Sequence, residues 1–224
     1  MHLKCLGSGS SGNCYLLELE QEALVIEAGI PFMEVKKALN FNIRKIVGVV
    51  VSHSHGDHAG RVKEYEAAGV PVFKPYETDK LRQMQVFGNF TIKSFDLVHD
   101  VPCCGFLIVH PDMGRFLYVS DTKYIKYRFD RLNHILVEAN YSMGLIDPNA
   151  ANRSHVLTGH MELQTTIRFL QVNRNPELRN VILCHLSGNN ADPEQFRQEA
   201  GKSVACDVYV AEKGLEVNVS LMPF

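Results

Sequence analysis

The chain has 224 residues, 46% of them hydrophobic, which suits one core-forming domain over residues 1–224. Its formal net charge of −2 excludes a general attraction to nucleic acid or anionic membrane, though a local basic patch is permitted. No apolar run is long enough to span a bilayer, the first residues lack a signal-peptide core, and six cysteines without paired spacing point to a reducing cytoplasm rather than a disulfide framework.

Leu3 to Leu6 and Cys14 to Leu19 read as strands around a small-residue loop, Gly7-Ser8-Gly9-Ser10-Ser11-Gly12-Asn13. That loop suits a tight hairpin, or a phosphate cradle built from backbone N–H groups. It lacks the Gly-Lys-Ser/Thr ending of a nucleotide P-loop. Ala23 to Ala28 is a third strand, and Phe32 to Leu39 a helix begun near Pro31. The β-branched run Ile46 to Val51 reads as a buried strand, and Ala59 to Ala68 as a short amphipathic helix.

Between those two lies His53-Ser54-His55-Gly56-Asp57-His58, a dense cluster of metal-ligand types on a strand-to-helix turn. His53 and His55 are two apart and can converge if the turn stays extended. Asp57 and His58 are adjacent and must diverge. That arrangement suits two ions better than one, the first taking His53 and His55, the second Asp57 and His58. Imidazole nitrogens with a carboxylate oxygen suit zinc, and also manganese or iron.

Further along, Val70 to Lys74 reads as a strand, Glu77 to Gln85 as a helix, and Phe90 to Val98 as a strand ending at His99. Gly105 to His110 and Arg115 to Ser120 form a hairpin around Pro111-Asp112-Met113-Gly114 and deliver Asp121. His134 to Glu138 is a strand, Asn140 to Thr158 an irregular stretch, and Glu162 to Gln171 a helix. Asn180 to Cys184 is a strand ending at His185, Pro193 to Glu199 a helix, and two short strands follow. Strand clusters in both halves with helices between them predict two sheets packed face to face with helices outside. His99, Asp121 and His185 all fall at strand ends, where side chains can surround one site. His99 can complete the His53/His55 ion, His185 the Asp57/His58 ion, and Asp121 can bridge them.

The order His53-x-His55-x-Asp57-His58, then His99, Asp121 and His185, resembles the metallo-β-lactamase superfamily. Within it, Gly7 to Cys14, His99-Asp100, Ser120-Asp121-Thr122, Glu138-Ala139-Asn140, Gly159-His160 and His185-Leu186-Ser187 resemble the YycJ/WalJ-like branch. The resemblance implies an α/β fold, a four-layer αββα sandwich of two mixed sheets, with a dinuclear site on their shared edge. It implies a cytoplasmic hydrolase with DNA exonuclease activity attributed to the branch, related to RNase Z-like and PhnP-like phosphodiesterases. In those relatives a histidine placed like His160 acts near the leaving group. Glu27 stands where the family usually has aspartate, and would orient a ligand histidine. Tyr141-Ser142 replaces a usual His-Asp, and Met161-Glu162-Leu163-Gln164 replaces Leu-Ser-Asn-Glu, without its helix-capping serine. A β-CASP insertion has no room.

The expected chemistry is metal-assisted phosphodiester hydrolysis with two divalent ions, zinc or manganese, and a water shared between them as nucleophile. Asp57 and His160 are the candidate catalytic residues, His160 assisting the leaving oxygen. The candidate substrate-binding residues are Lys123, Tyr124, Lys126, Tyr127 and Arg128, where cations for phosphates interleave with aromatic faces for bases. A small-molecule hydrolase of the lactonase, β-lactamase or thioesterase type would share the metal site but need no such segment.

Overall fold

The computed structural model describes residues 1–150 and 153–222. Two sheets form. The first has six strands in the order β13-β1-β2-β3-β4-β5, and the second has seven in the order β12-β11-β10-β9-β8-β7-β6. The first sheet is built from β1 (His2–Gly7), β2 (Cys14–Glu18), β3 (Ala23–Ile26), β4 (Ile46–Val50), β5 (Val72–Phe73) and β13 (Glu216–Asn218). The second is built from β6 (Met84–Phe87), β7 (Phe90–Asp96), β8 (Cys104–His110), β9 (Gly114–Val119), β10 (His134–Glu138), β11 (Asn180–Cys184) and β12 (Asp207–Val210).

Strand alternation sorts the apolar residues into three layers. In β2, Tyr15 and Leu17 face the space between the sheets, while Cys14 and Leu16 face outward under α1 (Phe32–Ala38) and α3 (Val62–Ala67). In β9, Phe116 and Tyr118 turn inward, and Leu117 and Val119 turn toward α5 (Leu163–Asn173) and α6 (Pro193–Gly201). β10 and β11 repeat the pattern: Leu136, Ile182 and Cys184 inward, Ile135, Val137, Val181 and Leu183 outward. A strand buried on both faces must be apolar at every position, which is why these segments read as continuous hydrophobic runs. Each Leu, Ile or Phe fully buried this way contributes roughly 1.5–3 kcal/mol. The layers run helix, sheet, sheet, helix, so the expected αββα sandwich is present.

Parallel pairing aims the strands at one edge. β9, β10, β11 and β12 are parallel neighbours, as are β3, β4 and β5. Residues just past the carboxyl ends of these strands therefore collect together, the usual place for a site in such a fold.

Three local expectations are corrected. The segment 77–85 is not a helix. A short 3-10 turn at Pro75–Glu77 is followed by β6, which pairs with β7 from Met84 opposite Lys93 to Phe87 opposite Phe90. Gly88, at φ 53°, makes the tight turn between them. The helix at 59–68 is two pieces: α2 (Gly56–Ala59) begins inside the histidine cluster, and Gly60 and Arg61 separate it from α3. The stretch 140–158 is not irregular throughout, because α4 (Arg153–Gly159) lies within it and leads to His160. Among the described residues no helix is long and apolar enough to cross a membrane.

Candidate metal centre

The cluster residues follow β4. His53 is fully buried, and its Nδ1 sits 2.9 Å from Ser52 Oγ. Its Nε2 is buried with no hydrogen-bond partner among the described residues. Such a nitrogen is costly to leave unpaired, and it points into a nest of other imidazoles. The His53 ring centroid lies 4.2 Å from that of His58, 4.7 Å from His55 and 4.9 Å from His99.

Four overlapping groups of side chains have ligand atoms mutually within 4.8 Å: His53/His55/His99, His53/His58/Asp121, Asp57/His58/His185, and Asp121/Glu138/His160/His185. The two triads are the ones read from the strand ends. Asp121 groups with His53 of one triad and His58 of the other, its Oδ2 2.9 Å from His58 Nε2 and its Oδ1 3.8 Å from His185 Nε2. Asp57 Oδ2 is 3.4 Å from both His58 Nε2 and His185 Nε2. The donor set of imidazoles and carboxylates, with an orphaned buried nitrogen among them, fits divalent ions.

The backbone is shaped for this. Glu27, Asp121 and His185 all adopt left-handed conformations, at φ 68°, 53° and 54°. Each comes one or two residues after a strand. The turn throws its side chain across the sheet edge instead of along it. A non-glycine residue held there costs on the order of 1–3 kcal/mol, which the surrounding structure must supply. Gly29 allows the close approach of the first two segments: a Cβ there would lie 1.8 Å from the Asp57 carbonyl oxygen.

Supporting contacts hold the candidate ligands. Glu27 is fully buried and accepts from the Ser52 N–H at 3.3 Å. Its Oε1 lies 3.4 Å from His58 Nδ1, within ion-pair reach but off the axis of a hydrogen bond. The extra methylene of glutamate thus still lets it reach a candidate ligand. Asn13, from the Gly/Ser loop, places its Nδ2 2.9 Å from His58 Nε2. The same loop spends its Gly9, Gly12 and Asn13 N–H groups on Asn13 Oδ1, Gly9 O and Asp57 O. These three bonds brace the turn against Asp57.

Two residues quoted from the sequence only as part of the resemblance turn out to touch the site. Glu138, fully buried at the end of β10, accepts from His160 Nδ1 at 2.7 Å, from the Thr122 N–H at 3.1 Å and from the Met161 N–H at 3.3 Å. It also lies 3.3 Å from His185 Nδ1. Asn140 donates from Nδ2 to the His185 carbonyl at 2.7 Å. The signal for Glu138 was one charge closing an apolar strand, His-Ile-Leu-Val-Glu. His160 itself lies beside Asp121, 3.4 Å from its Oδ1, and stacks on His185 at 5.2 Å.

Electrostatics follow the geometry. Burial alone would raise the carboxyls of Asp121 and Asp57, but His185 and His58 hold both well below the carboxylate range. Burial lowers His53 to about 2, reinforced by His58. Burial would also lower His185, yet Asp121, Asp57 and Glu138 raise it to about 10. His58 and His160 are raised against burial in the same way, by Asp121 and Glu138 respectively. The protons drawn to these imidazoles mark the negative field that a cation would meet.

The proposed substrate segment divides. Lys126 and the Tyr127 hydroxyl both bond Asp96, and Arg82 joins them, 2.8 Å from Asp96 Oδ1 and 2.9 Å from the Tyr127 hydroxyl. The Tyr127 ring packs on Phe95 at 5.4 Å. Lys123, Tyr124 and Arg128 remain exposed, and neither Lys123 nor Arg128 forms an ion pair among the described residues.

The metallo-β-lactamase superfamily model matches residues 7–95, and the αββα sandwich matches the fold of that superfamily. Among curated proteins the chain is 22% identical to the exodeoxyribonuclease YycJ of Bacillus anthracis, over 90% of this chain and 88% of that one. Among solved structures it is similar to the metallo-β-lactamase fold protein YhfI of Bacillus subtilis, with a TM-score of 0.73, 17% identity and coverage of 96% and 98%. It is also similar to the short form of human tRNase Z, with a TM-score of 0.66, 14% identity and coverage of 99% and 100%.

Proposed function

We propose that the chain is a metal-dependent phosphodiester hydrolase of nucleic acid, most like a DNA exonuclease, folded as one domain without a β-CASP insertion. The observation that carries the reading is the pair of ligand triads, His53/His55/His99 and Asp57/His58/His185, joined through Asp121 beside the Glu138–His160 pair. The exodeoxyribonuclease name of the Bacillus anthracis relative supports the substrate class. In this reading each triad would hold one divalent ion, zinc or manganese, and Asp121 would serve both. Such ions activate water and neutralise charge on a phosphoryl group.

The chain's own residues do the rest. Glu27 fixes the His58 ring from its Nδ1 side, and Glu138 fixes those of His185 and His160. Asp57 orients the nucleophilic water from its half-buried position. His160, its proton affinity raised by Glu138, passes a proton to the leaving oxygen. Lys123, Tyr124 and Arg128 meet the incoming strand, while Lys126 and Tyr127, tied to Asp96, shape the edge they stand on.

The test uses purified protein loaded with manganese or zinc, on end-labelled single- and double-stranded DNA and RNA, with a chelator control. Stepwise shortening of a labelled strand, abolished by chelation, is the expected result. Hydrolysis of lactones or thioesters with no cleavage of any phosphodiester would overturn the reading in favour of a small-molecule hydrolase.

A further inference from the structure

Asp100 follows the candidate ligand His99, and its side chain is 51% exposed. Its Oδ1 lies 3.0 Å from His99 Nε2 and 3.5 Å from His55 Nε2. The His99 ring has a fixed sense. Its Nδ1 is 3.1 Å from the Gly159 carbonyl, a group that can only accept, so Nδ1 carries the hydrogen. A neutral ring then presents a bare lone pair at Nε2. A carboxylate oxygen and a bare imidazole nitrogen are both acceptors, and at 3.0 Å they repel unless positive charge lies within reach of both.

His99 stands inside the nest of imidazoles. The side chain is 1% exposed, and the rings of His53, His55 and His160 stand 4.9, 5.0 and 6.3 Å away. A divalent cation resolves the contact, because both groups can direct lone pairs at it. The same His99 Nε2 also faces His55 Nδ1 at 3.3 Å.

We propose that Asp100 supplies an additional oxygen ligand to the ion held by His53, His55 and His99, on an exposed arm able to swing on and off it. This inference rests on the metal-centre reading given above. It has a chemical consequence. Three imidazoles alone suit zinc, whereas added carboxylate oxygens move the preference toward harder ions such as manganese.

The experiment titrates metal-free wild-type and Asp100→Asn protein with manganese, following free ion by electron paramagnetic resonance, and with zinc by calorimetry. Asparagine keeps the shape and an oxygen at this position and removes the charge. Circular dichroism checks that the fold is retained. The manganese dissociation constant should rise about tenfold, the range for lost support around a metal site, and the zinc constant should change less. Unchanged manganese binding would overturn the proposal. Equal losses for both metals would also overturn it, making Asp100 a positioning partner of His55. Wild-type protein that binds neither ion would instead overturn the metal centre itself. Phosphodiester cleavage is not read, so failure of the substrate reading stays separate.

Discussion

Glu138 shows what a single residue can contribute without being an obvious candidate. Its two oxygens receive His160 and the Thr122 and Met161 amides, and it lies beside His185. If it acts through His160, the two substitutions should not add. Glu138→Gln and His160→Ala should each lower turnover of a chromogenic phosphodiester about 10–100-fold, and the double variant should be little worse than either single one. Multiplying losses in that double-mutant cycle would separate the two residues. The candidate ligands were legible because four residues of ligand type crowd into His53 to His58, on one strand-to-helix turn. Glu138 was not, since one acid at a strand end has many ordinary explanations. Lys126 and Tyr127 were read as free contacts because nothing in the sequence places Asp96, thirty residues earlier, against them.

At the scale of the element, α5 illustrates a substitution that keeps its job. The serine of the related motif is missing, but Glu162 sits at the N-cap and its carboxylate accepts from the Gln164 and Thr165 N–H groups at 2.7 and 3.2 Å. Those are orphan donors of the first turn, and an acid there also meets the positive end of the helix. Glu162→Ala should destabilise the protein by about 0.5–2 kcal/mol, read as a lower denaturation midpoint, and Glu162→Asp or Glu162→Ser should recover part of it. An unchanged midpoint in the alanine variant would leave the cap without energetic weight. The same scale holds the misread elements. β6 is four residues long and its pairing with β7, not its own periodicity, decides its form. The split at Gly60 is equally non-local, because Arg61 N–H donates back to the Ala28 carbonyl across the site.

For the whole molecule, the three apolar layers were legible because a strand buried on both faces leaves a run of hydrophobic residues. The fastening between the sheets was not. Away from the metal centre, Glu22 in the β2–β3 turn accepts from the Asn89 N–H and Nδ2 at 3.0 and 2.7 Å and pairs with His110 Nε2 at 3.1 Å. One carboxylate thus ties the first sheet to the β6–β7 turn and the end of β8 in the second. Burial opposes its ionisation, but Asn89 and His110 hold its carboxyl below the usual 4.5. A depressed carboxyl stabilises the fold above its unfolded value, and that contribution disappears as pH falls through the folded value. Thermal midpoints measured from about pH 6 down to pH 3 should therefore fall less steeply for Glu22→Gln than for wild type, from a lower starting point. Parallel curves would remove the clasp from the acid response.

β1 and β13 lie side by side, His2 opposite Asn218, and the Met1 amino group reaches Ser220 Oγ at 2.5 Å. The chain is therefore almost a ring, with its seam inside the first sheet. β13 follows β1 by roughly two hundred residues, so this edge of the first sheet is closed by a pairing between strands far apart in the chain, the kind of contact that is slowest to form.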